Sequence, residues 1–120
     1  MHGDILQDHS KNPRNVGDLP DATTVVTVTN PVCGDELTLA VRIQNGRIDS
    51  AKFRDRGCPA AIACSSMLTE LIAGLTIVEM CAISAERVAE ALGGLPPATR
   101  HASQLAEDAL DALDPLLKRL

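Results

Sequence analysis

The clearest pattern in the chain is the alternation of apolar and polar residues at positions 37–44. One side of this segment carries only apolar side chains, those of Leu37, Leu39, Val41 and Ile43. The intervening positions hold Thr, Ala, Arg and Gln. A period of two over eight residues is typical of a half-buried β-strand.

Two neighbouring segments extend this strand into a sheet. Residues 23–29 form an unbroken run of Thr and Val, both β-branched residues that favour strands. Asn45-Gly46 is a strong hairpin signal because both residues tolerate positive φ. Residues 47–56 follow, with Ile48, Ala51 and Phe53 among polar residues. The pattern predicts three antiparallel strands in a meander.

The second half of the chain reads as helical. Residues 60–75 are rich in helix formers, and Gly74 weakens the end of this helix. Thr76 is a candidate N-cap, and Glu79 completes a capping-box pattern. Ser84 is placed to cap a helix over residues 85–92, which Gly93-Gly94 ends.

The two ends of the chain complete the picture. Residues 1–9 allow at most a short helix, and residues 11–20 form an extended loop rich in Asn, Gly and Pro. A last helix is expected to begin near residues 101–103, with Pro115 kinking or restarting it. Strands followed by helices indicate an α+β fold, a three-stranded antiparallel sheet covered on one face by helices. We expect one domain over residues 1–120.

Composition and charge narrow the possible functions. The chain has no Trp or Tyr, one Phe and a net charge of −5, which argues against a nucleic-acid partner. No segment has the roughly 18 apolar residues of a membrane span, and the first 15 residues do not resemble a secretory signal. We therefore expect a cytoplasmic protein without a membrane partner, whose four cysteines are free, metal-binding or catalytic.

Cys33-Gly34-Asp35 lies at the predicted turn between the first two strands. A thiolate and a carboxylate two residues apart on a loop can face the same ion. The alternative is a turn cysteine beside an Asp that hydrogen-bonds to the backbone. The tripeptide alone does not decide between these interpretations.

Cys58 and His101 are the other candidates. Cys58 precedes Pro59, a residue suited to the first position of a helix, so Cys58 is expected at the N-cap. There the helix dipole and neighbouring Arg56 favour the thiolate form. The alternative is a small residue filling the junction. His101 opens the last predicted helix, and on position alone a surface or capping role explains it better than a ligand role.

The remaining cysteines and histidines are interpreted as structural. Cys64 and Cys81 fall within helical stretches, where a free cysteine behaves as a small buried hydrophobe. We expect His2 and His9 to be solvated or to structure a loop.

Taken in order, these segments resemble the IscU family and the N-terminal domain of NifU. The resemblance rests on Asn-Pro-Val-Cys-Gly-Asp at 30–35, Gly-Cys at 57–58 followed by the segment 61–70, and Leu-Pro-Pro at 95–97 before His101. Residues 8–17 also match the start of that family. The similarity covers nearly the whole chain at similar spacing.

The resemblance implies a scaffold for the transient assembly and transfer of a [2Fe–2S] cluster, not an enzyme. It implies Cys33, Asp35, Cys58 and His101 as ligands of the cluster, of iron, or of zinc in its place. It also implies a cysteine desulfurase, an iron donor and acceptor apo-proteins as partners. Thiolates are the usual cluster ligands, whereas carboxylate and imidazole bind less tightly.

Two positions depart from the family pattern. Ala102 stands where the family usually has a third cysteine, and Thr99 stands where its chaperone-recognition segment has a lysine. Docking of an Hsp70-type chaperone is therefore in doubt. The alternative function is a zinc-binding paralogue that assembles no cluster but docks on a cysteine desulfurase and regulates it. A thiol enzyme using Cys58 has little support, because no C-x-x-C pair is present.

Overall fold

The structure is a computed structural model that describes residues 3–31 and 34–118. Five α-helices, three β-strands and one 3₁₀-helix are assigned in these ranges. In chain order they are α1 (Asp4–Lys11), β1 (Thr24–Thr29), β2 (Glu36–Gln44), β3 (Arg47–Arg56), α2 (Pro59–Ile72), α3 (Ile77–Cys81), α4 (Ala85–Ala91), the 3₁₀-helix (Pro97–Thr99) and α5 (Arg100–Leu117).

The three strands form one antiparallel sheet in the order β1-β2-β3. Asn45 and Gly46 connect β2 to β3 with φ of 54° and 75°. These values match the hairpin predicted from the Asn-Gly pair. The predicted meander is thus confirmed.

Helices α2 and α5 pack against the same face of the sheet, α2 against β3 and α5 against β1 and β2. The alternation in β2 explains this arrangement, since Leu37, Leu39 and Val41 are fully buried. Phe53 of β3 is also buried, at 2% exposure. The predicted α+β fold, with helices covering one face of a three-stranded sheet, is confirmed.

The loop at residues 11–20 runs along the outer edge of β3. Phe53 donates its backbone N–H to the carbonyl of Asn15 at 2.9 Å, and Gly17 donates to the carbonyl of Phe53 at 2.9 Å. The loop therefore covers backbone groups that would otherwise be an open sheet edge.

Helix α2 ends three residues earlier than its composition predicts. It stops at Ile72, and Gly74 follows with φ of 80°. Gly74 donates its backbone N–H to the carbonyl of Ile48, and Ile48 donates to the carbonyl of Leu75. These bonds to the start of β3 replace the last predicted turn of the helix.

Helix α1 corrects one expectation. His9 is not solvated: it is 4% exposed and packs in α1 against α2. Its Nδ1 lies 2.7 Å from Ser66 Oγ and its Nε2 3.4 Å from Glu70 Oε1. The expectation of a solvated His9 was wrong because these polar partners lie on a distant helix, where sequence spacing gives no sign of them. His2 lies outside the described residues.

The last helix begins at Arg100 and continues past Pro115 to Leu117. The proline therefore does not end or restart the helix. Within the described residues, no helix has both the length and the apolar character needed to span a bilayer.

Candidate metal centre

The β1–β2 connection holds Asp35 in place. Asn30 donates its backbone N–H to the carbonyl of Asp35 at 2.8 Å, and Gly34 donates to the carbonyl of Asn30 at 2.7 Å. Gly34 has φ of 75°, a conformation that favours glycine. These contacts fold the connection back on itself and leave Asp35 only 7% exposed.

Cys58 is the N-cap of α2, as predicted, and Pro59 is the first helical residue. Gly57 is the only residue between the end of β3 and this N-cap cysteine. This short connection fixes the cysteine at the same end of the sheet as Asp35.

His101 lies in the first turn of α5, directly after the 3₁₀-helix. Leu95, which precedes the two prolines, is buried and anchors this approach to the helix. The His101 side chain is 23% exposed. It is therefore partly open to solvent while packing against the other two side chains.

The structure brings Asp35, Cys58 and His101 together. His101 Nε2 lies 3.2 Å from Asp35 Oδ2 and 3.8 Å from Cys58 Sγ. Cys58 Sγ lies 3.9 Å from Asp35 Oδ2. One oxygen, one sulfur and one nitrogen thus converge within 4.8 Å of one another.

These distances suit a tetrahedral metal ion. Typical zinc bond lengths place tetrahedral sulfur and nitrogen, or sulfur and oxygen, about 3.6 Å apart. They place nitrogen and oxygen about 3.4 Å apart. The observed separations of 3.8, 3.9 and 3.2 Å lie within a few tenths of an ångström of these values. The donor set fits a metal without rearrangement of the backbone.

Two helices point their N-termini at the group. Cys58 is the N-cap of α2 and His101 lies in the first turn of α5, and neither helix has an acidic residue in its first turn. The positive ends of both dipoles therefore stay uncompensated by their own helices. The partial positive charges of two helix N-termini therefore lie beside the group.

The predicted ligand Cys33 lies outside the described residues. Its neighbour Gly34 is described, and Asp35 is two positions away. The structure therefore does not test the predicted role of Cys33.

Cys64 and Cys81 are not part of the group. Cys64 is fully buried in α2, as predicted, and burial raises the pKa of its thiol to about 12. Cys81 is only partly buried, and its Sγ lies 3.4 Å from Asp114 Oδ1. Burial, and then the hydrogen bond to Asp114, raise its pKa to about 11. Both thiols are therefore poor sources of thiolate near neutral pH.

The sequence interpretation missed Asp55. This residue of β3 lies beside the group, and burial, with a further contribution from the Asp35 charge, raises its pKa to about 6. The hydrogen bond from Ser65 acts in the opposite direction. The sequence did contain a sign that Asp55 faces inward, because the period of two places residue 55 on the same face as Ala51 and Phe53.

A family model and the relatives found by sequence comparison point to the same protein family. A family model described as the NifU-like N-terminal domain matches residues 1–113. Iron–sulfur cluster assembly scaffold protein IscU 1 of Archaeoglobus fulgidus is 53% identical over 110 residues, which is 92% of this chain and 72% of the relative. IscU of Azotobacter vinelandii is 44% identical over 116 residues, covering 92% of this chain and 89% of the relative.

A solved structure agrees at the level of the fold. The crystal structure of the N-terminal part of a nitrogen-fixing NifU-like protein from Brucella abortus superposes with a TM-score of 0.73 at 21% identity. The match covers 98% of this chain and 92% of that structure. With the family model spanning nearly the whole sequence, the chain belongs to the NifU-like N-terminal domain family.

Proposed function

We propose that this protein is a scaffold on which a [2Fe–2S] cluster is assembled and from which it is passed on. The observation that carries the proposal is the convergence of Asp35, Cys58 and His101 within 4.8 Å. The IscU relatives support it, since their names describe scaffolds of iron–sulfur cluster assembly. The cluster is the cargo of such a protein, and the protein is not an enzyme.

We assign four ligands to the cargo: Cys33, Asp35, Cys58 and His101. Cys33 is included because the family resemblance marks it as a ligand and it stands two residues before Asp35 in the sequence. Thiolates hold iron–sulfur clusters firmly, whereas carboxylate and imidazole are weaker ligands. A mixed set therefore holds a cluster long enough to build it and loosely enough to release it.

The partners follow from this chemistry. Sulfur comes from a cysteine desulfurase, iron from an iron donor, and the finished cluster goes to acceptor apo-proteins, all in the cytoplasm. An Hsp70-type chaperone is a doubtful partner, because Thr99 follows Leu95-Pro96-Pro97-Ala98 where the family has lysine. No nucleic-acid or membrane partner is proposed.

Anaerobic reconstitution tests the proposal. The protein is incubated with a cysteine desulfurase, cysteine, a ferrous salt and a reductant, and its visible spectrum is recorded. We expect the absorption of a [2Fe–2S] centre, lost in Cys58→Ala. Cys81→Ala is the matched control, because it also removes one partly buried thiol but lies outside the group. Wild-type protein that stays colourless under these conditions would contradict the proposal.

The second candidate function is a zinc-binding paralogue that regulates a desulfurase without assembling clusters. The near-tetrahedral donor distances and Ala102 favour it, because Ala102 removes a thiol from the family's set. This alternative predicts a stable complex with the desulfurase and no sulfur transfer. Mass spectrometry that detects a persulfide on Cys33 or Cys58 after incubation with a desulfurase would exclude it.

A further inference from the structure

The stability of the fold does not explain why residue 55 carries a charged carboxylate. Ser65 donates its hydroxyl hydrogen to Asp55 Oδ2 at 2.7 Å, which anchors β3 to α2. The other oxygen, Oδ1, is buried and has no hydrogen-bond partner among the described residues. A buried acceptor without a donor costs free energy. An asparagine would make the same bond to Ser65 without carrying a charge.

The unpartnered oxygen lies beside the metal-site carboxylate. A Cβ atom at Gly57 would stand 2.9 Å from Asp55 Oδ1, 2.9 Å from Asp35 Cγ and 3.0 Å from Asp35 Oδ1. Both carboxylates therefore converge on the same side of Gly57, whose missing side chain leaves them room. Two like charges this close repel each other in a partly buried setting.

We propose that Asp55 is an electrostatic positioning residue of the metal site: its anchored carboxylate lies beside Asp35 across Gly57 and raises the affinity of the site for a divalent cation. This inference rests on the proposed function, because it assumes a cation at Asp35, Cys58 and His101. Asp55 itself is not among the converging ligand atoms. It acts on the cation through its charge and through Asp35.

The number of negatively charged side chains at the site supports this role. The family pattern supplies three thiolates, and Ala102 removes one of them. A carboxylate at residue 55 restores one negative charge next to the remaining donors. In the metal-free protein the two carboxylates repel each other. A bound cation is attracted to both carboxylates and offsets this repulsion.

Zinc titration of Asp55→Asn at pH 8, with a chromophoric chelator as competitor, tests the inference. Asparagine keeps the shape of the side chain and an oxygen that accepts from Ser65. We expect the Kd for zinc to rise roughly tenfold. We also expect the metal-free variant to melt about 2 to 4 °C higher than the wild type, because the repulsion is gone. A purely structural role predicts the opposite change in Tm and no change in Kd.

Asp49→Asn is the matched control, because it makes the same change of charge at the other end of β3. Its Kd is expected to stay within twofold of the wild-type value. Asp55→Thr, with a β-branched residue suited to a strand, replaces Asp55→Asn if that variant does not fold. An unchanged Kd in the Asp55 variant beside a zinc-binding wild type would overturn this inference alone. A wild type that binds no zinc at all would overturn the proposed metal site with it.

Discussion

Residue 102 sets how many thiolates the site can offer. Ala102 directly follows the site residue His101 in α5 and is 2% exposed. Cys64 is buried but lies outside the converging group, and the pKa of its thiol is raised to about 12. Among the described residues, no other cysteine can therefore serve as the thiolate ligand that is missing at position 102.

Ala102→Cys is expected to slow the loss of a reconstituted cluster. The added thiolate would supply a tighter ligand than carboxylate or imidazole. We expect the half-life of the visible absorption in the presence of an iron chelator to lengthen several-fold. Ala102→Ser, which has a similar size but no thiol, is the control and should leave the half-life unchanged. An equal effect of both variants would show that position 102 acts through packing alone.

His9 is buried and contacts a small set of polar groups. Arg14 donates its backbone N–H to Ser66 Oγ at 2.8 Å, so the Ser66 hydroxyl hydrogen is free to point at His9 Nδ1, 2.7 Å away. When Nδ1 accepts from Ser66, the ring hydrogen of neutral His9 lies on Nε2, which faces Glu70. Burial, followed by the Arg14 charge, lowers the pKa of His9, although Glu70 and Asp8 act in the opposite direction.

This network predicts that His9 makes the free energy of unfolding depend on pH. Since the folded pKa lies below the unfolded value of about 6.5, the unfolded chain takes up protons first as the pH falls. The stability present above pH 6.5 is therefore lost below it. His9→Asn accepts from Ser66 but does not titrate, so its unfolding free energy should fall less between pH 7.5 and 5.5 in urea denaturation. Parallel curves for both proteins would contradict this role.

At the scale of elements, α3 is short and depends on its cap. Thr76 Oγ1 accepts from the Glu79 backbone N–H at 3.2 Å, and Glu79 Oε1 accepts from the Thr76 N–H at 2.9 Å. The five-residue helix buries Met80 and packs against α5. Its few internal hydrogen bonds make a reciprocal cap important for its position.

Thr76→Ala is expected to lower the free energy of unfolding by about 1 kcal/mol. Urea denaturation at constant pH measures the change. Val78→Ala in the same helix is the control, because Val78 is 80% exposed. Its effect should stay within about 0.5 kcal/mol. Equal losses in both variants would mean that helix propensity, not the cap, stabilises α3.

Elements that depend on neighbouring residues in the sequence, such as strand alternation, turns and helix caps, were predictable. The alternation in β2, the Asn45-Gly46 turn and the caps at Thr76 and Ser84 all appear as expected. The early end of α2 was not predictable, because it depends on backbone bonds to β3. The burial of His9 depends likewise on another helix, α2.

The site was predictable only in part. Its members come from a turn, a strand–helix junction and a helix start, and the ordered resemblance marked them before their contacts were known. Their convergence into one group depends on tertiary packing, which spacing alone does not give. Asp55 was overlooked because a lone charged residue on a strand usually faces solvent. The ligand roles of Cys33, Asp35, Cys58 and His101 stay predictions, and so does the single domain over residues 1–120.

At the scale of the whole molecule, the site exists only when the fold does. Cys58 lies 23 residues from Asp35 and 43 from His101 along the chain. The unfolded chain does not bring these side chains together. An ion that binds this group is therefore expected to stabilise the folded state.

Zinc is accordingly expected to raise the melting temperature of the wild-type protein. At free zinc about a hundredfold above its Kd, the folded state gains about 2.7 kcal/mol. For a chain of this size that corresponds to roughly 10 °C in Tm. Calorimetry should show this rise in the wild type and in Cys81→Ala but little of it in Cys58→Ala. A rise of equal size in all three proteins would place the zinc elsewhere.

The amount of iron and acid-labile sulfide bound after anaerobic reconstitution tests the central claim most directly. The protein is separated from free iron and assayed before and after mixing with an apo-ferredoxin. A transient [2Fe–2S] scaffold should carry about two irons and two sulfides per cluster and transfer them to the apo-ferredoxin. Protein that contains zinc but no acid-labile sulfide under these conditions would contradict the account.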